Sequence, residues 1–207
     1  MQDGNQLIND PIPINKQLHL GNFETLNKSQ NYDYNFALSF WFNIDALPPN
    51  TNPSYKKYIS LFNYANKPNI LYKAESNSLI ITYEQSQLEF STKNQFIEFE
   101  EGTTDSRIVY QNKNVLLQRW NNIVINYSGG ILDVFLNGKL GQSNLGIVPY
   151  YNHDALTVGT DESISGKICN VTYFKHTLSS ENMFYLYNLV KNSNPPTLKS
   201  SNIFIIK

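Results

Sequence analysis

The stretch from Arg119 to Gly138, RWNNIVINYSGGILDVFLNG, leaves little choice of local structure. Ile123, Ile125 and Tyr127 recur at every second position, and so do Leu132, Val134 and Leu136. A period of two marks a strand with one buried face. Ser128-Gly129-Gly130 separates the two runs, and Asn137-Gly138 ends the second. Gly and Asn reach positive φ at low cost, which hairpin turns matched to strand twist require. The stretch predicts a β-hairpin followed by a second tight reversal, with the buried face specified residue by residue.

The same alternation extends along the chain. Residues 1–22 read as an extended N-terminal segment laid along an edge of the body, because Pro11 and Pro13 exclude a helix interior. Phe23 to Leu26 is expected to begin a strand. In NFALSFWFNID, residues 35–45, Phe36, Leu38, Phe40 and Phe42 share one face, while Ala37, Ser39, Trp41 and Asn43 share the other. Leu47-Pro48-Pro49 ends this strand. KYISLFN, NILYK and SLIITYE follow as three short strands. Ile97 and Phe99 alternate with Glu98 and Glu100, and Gly102 to Asp105 turns the chain into RIVYQ, a hairpin-like pair. GQSNLGIVPYYNHD reads as a long loop or short strand, and ALTVG as another strand. SGKICNVTYFK, residues 165–175, is the last strong strand, with Ile168, Asn170, Thr172 and Phe174 opposing Cys169, Val171 and Tyr173. One helix follows, capped by Ser179 or Ser180, with Glu181 in its first turn and Met183, Leu186, Tyr187 and Val190 forming one apolar stripe. Asn194-Pro195-Pro196 stops it, and NIFII near the end reads as a final short strand. Many short strands and one late helix describe an all-β fold, a two-sheet antiparallel β-sandwich. No linker splits the chain, so residues 1–207 are expected to form a single domain.

Composition narrows the function classes. The chain is 41% hydrophobic and 16% charged, enough apolar material for a core and too little charge for disorder. A net charge of −1 supplies neither a basic footprint for nucleic acid nor a polybasic membrane patch. No segment approaches the ~20 apolar residues of a membrane-spanning helix. MQDGNQLIND has no basic start and no apolar run, so no signal peptide is read in these residues. Cys169 is the single cysteine, which excludes an intramolecular disulfide. Localisation stays open between a reducing compartment and excision from a longer chain with a virion or cell-surface context.

Three segments, in order, resemble the laminin-G-like jelly rolls of the concanavalin A-like lectin/glucanase superfamily. They are Phe36 to Phe42, Trp120 to Lys139, and Gly166 to Tyr173 continuing through Thr177-Leu178-Ser179-Ser180. The resemblance covers most of residues 35–190. It implies two antiparallel sheets with ligands on the concave face or at a rim of loops. Fold alone does not choose among the carbohydrate-binding, adhesive, hydrolytic and structural members of such a family.

The glucanase branch carries paired acids on one strand, and the nearest approach here is Glu98-Phe99-Glu100-Glu101, broken by Gly102 and lacking a third acid. A solvated strand face is the plainer reading. His19, His153 and His176 are scattered, and Cys169 in a strand reads as an inert buried thiol. No catalytic residue is assigned. The resemblance implies a structural calcium, yet Cys169 and Asn170 replace the acids that hold it. Asp154, Asp161 and Glu162 remain as a weak candidate metal set, three side chains where Ca²⁺ takes 6–8 oxygen ligands. No cofactor is therefore expected. A sugar site needs an aromatic platform beside hydrogen-bonding groups, and Tyr150, Tyr151, Asn152, His153 and Asp154 are the best match, with Tyr32-Asp33-Tyr34 second. Trp120 is expected to anchor the core under the hairpin. The sequons at Asn27, Asn126 and Asn170 read as products of Asn abundance.

These readings converge on a non-catalytic recognition or adhesion module that binds glycan or a protein surface. The alternative is a structural component of a virion or other large assembly, with a degenerate glycoside hydrolase third.

Overall fold

Alternating apolar residues leave each strand with a face that must be covered, and the computed structural model shows how two sheets cover each other. It describes residues 4–27, 35–84, 106–147, 155–161 and 164–199. In chain order the elements are β1 (Gly4–Ile8), β2 (Ile12–Pro13), β3 (Leu18–Asn22), α1 (Phe23–Asn27), β4 (Phe36–Ala46), β5 (Tyr58–Tyr64), β6 (Asn69–Lys73) and β7 (Ser78–Glu84). They continue as β8 (Ser106–Asn112), β9 (Asn121–Ser128), β10 (Ile131–Leu136), β11 (Lys139–Leu145), β12 (Ala155–Val158), β13 (Ser165–Phe174) and α2 (Ser180–Val190). One sheet runs β1-β13-β4-β9-β10-β11, with β2 also on β13, and the other runs β3-β12-β5-β6-β7-β8. Every pairing is antiparallel. The fold is the two-sheet β-sandwich that the sequence predicts.

The β9–β10 hairpin sits in the register expected of it. Ser128 pairs with Ile131 across Gly129 (φ 53°) and Gly130 (φ 88°). Leu136 pairs with Lys139 across Asn137 (φ 51°) and Gly138 (φ 75°). Both are two-residue turns with positive φ at both central positions, the form whose twist suits a hairpin. Ile123, Ile125, Tyr127, Leu132 and Val134 enter the main core with Phe36, Leu38, Phe40 and Phe42 of β4. The second sheet meets them through Phe62, Tyr64, Tyr72 and Ile81 among others, and the Phe40 and Phe62 rings stack at 4.7 Å.

Four expectations change. Phe23–Asn27 is a helix, because the Asn22 side chain accepts the Thr25 N–H at 2.8 Å while Thr25 Oγ1 accepts the Asn22 N–H at 2.9 Å. That reciprocal pair caps a helix start. Residues 139–145 form a seven-residue strand, β11, where the sequence predicts a long loop or a short strand beginning at Gly141. The faces of β13 swap midway: Cys169 pairs with Trp41 but Thr172 pairs with Ser39, so one extra residue is inserted. Asn170, at φ 48°, occupies that bulge, a conformation Asn tolerates better than most residues. Ile168, Val171 and Tyr173 consequently face the main core, while Cys169 and Phe174 face outward into smaller clusters. Trp120 is half-buried and packs on the small cluster of Trp41, Cys169 and Val190, not in the main core. Its Nε1–H donates to Asn194 Oδ1 at 3.0 Å. NIFII and the Glu98–Glu101 run lie outside the described residues.

The outer face of the seven-stranded sheet is covered by α2 and the chain that follows it. Ser179 caps α2 by accepting the Asn182 N–H at 3.2 Å. Met183 packs with Ala37, Val124, Phe174 and Leu178, and Val190 with Trp41 and Cys169. Asn126 on β9 ties the helix approach down, since its Nδ2 donates to Leu178 O at 3.2 Å and its Oδ1 accepts from Leu178 N at 2.8 Å.

Candidate functional site

The rim proposed from sequence is only partly in view. Tyr150, Tyr151, Asn152, His153, Asp154 and Glu162 lie outside the described residues, as does Tyr32-Asp33-Tyr34. Asp161 is exposed, and its Oδ1 accepts the Gln17 N–H at 3.2 Å. Among the described residues no group of three or more His, Cys, Asp and Glu is placed to hold a metal ion. His19 and His176 are both exposed, on β3 and after β13. Cys169 is buried, and burial first, with the charge of Asp10 second, pushes its thiol up to about 12. It is protonated at neutral pH and lacks the thiolate that nucleophilic chemistry needs.

The three sequon asparagines are structural. Asn27 Nδ2 donates to Phe23 O at 2.9 Å, Asn126 clasps Leu178, and Asn170 Nδ2 donates to Pro196 O at 3.1 Å. All three residues are buried.

A cleft of about 180 Å³ opens on the outer face of the seven-stranded sheet. Its floor comes from β1, β4 and β13 through Gly4, Gln6, Ser39, Trp41, Asn170, Thr172 and Phe174. Leu186 of α2 forms one wall and Leu198 the other. The Leu198 wall is held in place: Leu198 N–H donates to Asn9 Oδ1 at 3.0 Å, Asn9 Nδ2 donates to Leu198 O at 3.3 Å, and the bulged Asn170 holds Pro196. Among the described residues no charged side chain lines it. Trp41 is stacked on Tyr187 with centroids 5.4 Å apart and planes 6° apart, so one indole face is already covered. Sequence reading missed this site because its residues come from β1, β4, β13, α2 and the tail segment, with no common spacing. The swapped phase of β13 also hid Thr172.

A second, shallower groove of about 430 Å³ runs along Pro13, Asp45, Leu47, Pro48, Ile164 and Lys167. On it Lys167 Nζ lies 4.0 Å from Asp45 Oδ2 among exposed side chains, a geometry that contributes little.

No helix of the described residues is long and apolar enough to cross a membrane. A comparison with curated protein sequences returns no match. Among solved structures, the botulinum neurotoxin DC binding domain in complex with rat synaptotagmin II is 14% identical, with a TM-score of 0.62 over 94% of this chain and 47% of that one. The botulinum neurotoxin serotype D ligand-binding domain in complex with N-acetylneuraminic acid is 14% identical, TM-score 0.58, over 90% and 46%. Trypanosoma rangeli sialidase is 12% identical, TM-score 0.57, over 90% and 28%. The chain thus spans less than half of each of these structures, and at such identities the likeness is one of fold. The family model of the concanavalin A-like lectin/glucanases superfamily matches residues 20–183, and with its sandwich, hairpin register and late helix the chain belongs to that superfamily.

Proposed function

We propose that this chain is a non-catalytic recognition module that binds glycan or a protein surface. The observation that carries the reading is the match of nearly the whole chain to a toxin binding domain solved with a protein partner, with a related domain solved with a sialic acid. The chemistry of the described surface supports it. Glu75 pairs with Lys73 at 2.9 Å, Asp45 lies near Lys167, Asp161 accepts a backbone N–H, and the buried thiol stays protonated. The test is a glycan array run with calcium and again with chelator, followed by capture of protein partners. Glycan binding lost on chelation assigns the rim of Asp154, Asp161 and Glu162. Binding that survives chelation assigns Tyr150 and Tyr151. A blank array with a captured, saturable protein partner assigns the protein surface, and a blank in every arm overturns the reading.

One observation favours assembly as a second reading. Among the described strands β11 ends its sheet, and it exposes Leu140 (57%) and Leu145 (69%), an edge of the kind that pairs with another chain. A self-assembling protein leaves the monomer position on a sizing column, and Leu145→Lys returns it.

A further inference from the structure

The cleft between α2 and the sheet has the attributes of a ligand site that the recognition reading does not use. Ser39, in the middle of β4, is 9% exposed, and its hydroxyl has no hydrogen-bond partner among the described residues. Thr172, which pairs with Ser39 across the sheet, also lines the cleft with a hydroxyl unpartnered among them. Neither hydroxyl is sealed from the cleft, so a ligand seated there could reach both and exchange hydrogen bonds with them. Around these two hydroxyls stand Trp41, Phe174, Leu186 and Leu198.

Three features define what fits. The volume of about 180 Å³ is near that of the ~150 Å³ apolar cavity known to take benzene. The described lining residues hold no charge, so an ionised ligand would lose its hydration without a counter-charge from them. The aromatic residues are 3% and 2% exposed, and Trp41 is already stacked on Tyr187, so neither offers the open ring face on which a sugar lies. We infer that this cleft binds a small, neutral, mainly apolar molecule of about one ring, whose single hydroxyl or carbonyl hydrogen-bonds Ser39 and Thr172. The site is built rather than incidental, since the Asn9 and Asn170 amides hold its Leu198 wall.

The test uses the full chain, with benzyl alcohol, toluene, benzoate and glucose as probes in a two-dimensional NMR titration. Benzyl alcohol is expected to shift the Trp41 indole and Gly4 amide signals saturably, with benzoate and glucose at least tenfold weaker. Ser39→Ala, a small change in volume, is expected to weaken benzyl alcohol about fivefold and leave toluene unchanged. Leu186→Trp is expected to fill the cleft and abolish both. Absence of saturable shifts at Trp41 and Gly4 overturns the inference, and so does glucose or benzoate binding as well as benzyl alcohol. Equal loss of toluene and benzyl alcohol in Ser39→Ala overturns the assigned role of the hydroxyls. None of these outcomes depends on the glycan array.

Discussion

The two faces of the seven-stranded sheet are built to different standards. The inner face meets the second sheet through one continuous cluster in which Phe36, Leu38, Phe40, Phe42, Ile123 and Ile125 are all but inaccessible. The outer face of the same strands is divided into two small clusters, one on Met183 and one on Val190, with a cleft and several amides and hydroxyls between them. A helix stripe and a tail segment are narrower covers than a sheet, so the outer face keeps polar residues and empty volume. The inner face therefore specifies the fold, while the outer face has room for variation and for ligand chemistry.

That contrast yields a ranked series. Phe40→Ala, which removes a fully buried ring stacked on Phe62, is expected to cost about 3–5 kcal/mol in chemical denaturation. A loss near 1 kcal/mol would mean that the inner face is no better packed than the outer. Asn126→Ala strands the buried Leu178 N–H and C=O and is expected to cost about 1–3 kcal/mol. Trp120→Ala removes a half-buried ring and one exposed hydrogen bond, for roughly 2 kcal/mol, below the range for a fully buried aromatic; a cost equal to that of Phe40→Ala would move Trp120 back to the core. Ser179→Ala removes the α2 cap and is expected to lower stability by about 1 kcal/mol, read as a small fall in the denaturation midpoint.

Cys169 gives the finest test, through pH. Its folded pKa, pushed up from the usual value of 9.0 to about 12, is the raised case. The contribution is fully present below pH 9 and is lost as pH rises toward 12, because the unfolded thiol ionises first. A thiol reagent at pH 8 should label native protein far more slowly than denatured protein, and the midpoint should fall more steeply above pH 9 than in Cys169→Ala. Equal labelling rates would show that the α2 cover opens freely.

The legibility of these regions in the sequence follows the same division. Strands of the inner face announce themselves, because one buried face forces a period of two and the turns need Gly or Asn at set positions. The β13 bulge is invisible in that code, since the conformation of Asn170 is supported by Asn9 and Pro196, both distant in sequence. Trp120 looks like a core anchor until its partner Asn194, 74 residues on, is seen beside it. The helix Phe23–Asn27 is too short to show a period, and only its Asn22–Thr25 cap marks it. The cleft was unreadable because no two of its walls come from one segment.

The place of β13 between β1 and β4 has a consequence for synthesis. A ribosome delivers Gly4–Ile8 and Phe36–Ala46 long before Ser165–Phe174. Until that late strand emerges, β1 lacks the neighbour it pairs with and β4 has one bare edge. Pairings of such long sequence separation form slowly and leave apolar strands open to wrong partners. A nascent chain arrested anywhere before residue 165 therefore holds an unfinished sheet, and truncations from the carboxyl end should aggregate rather than yield a smaller sandwich.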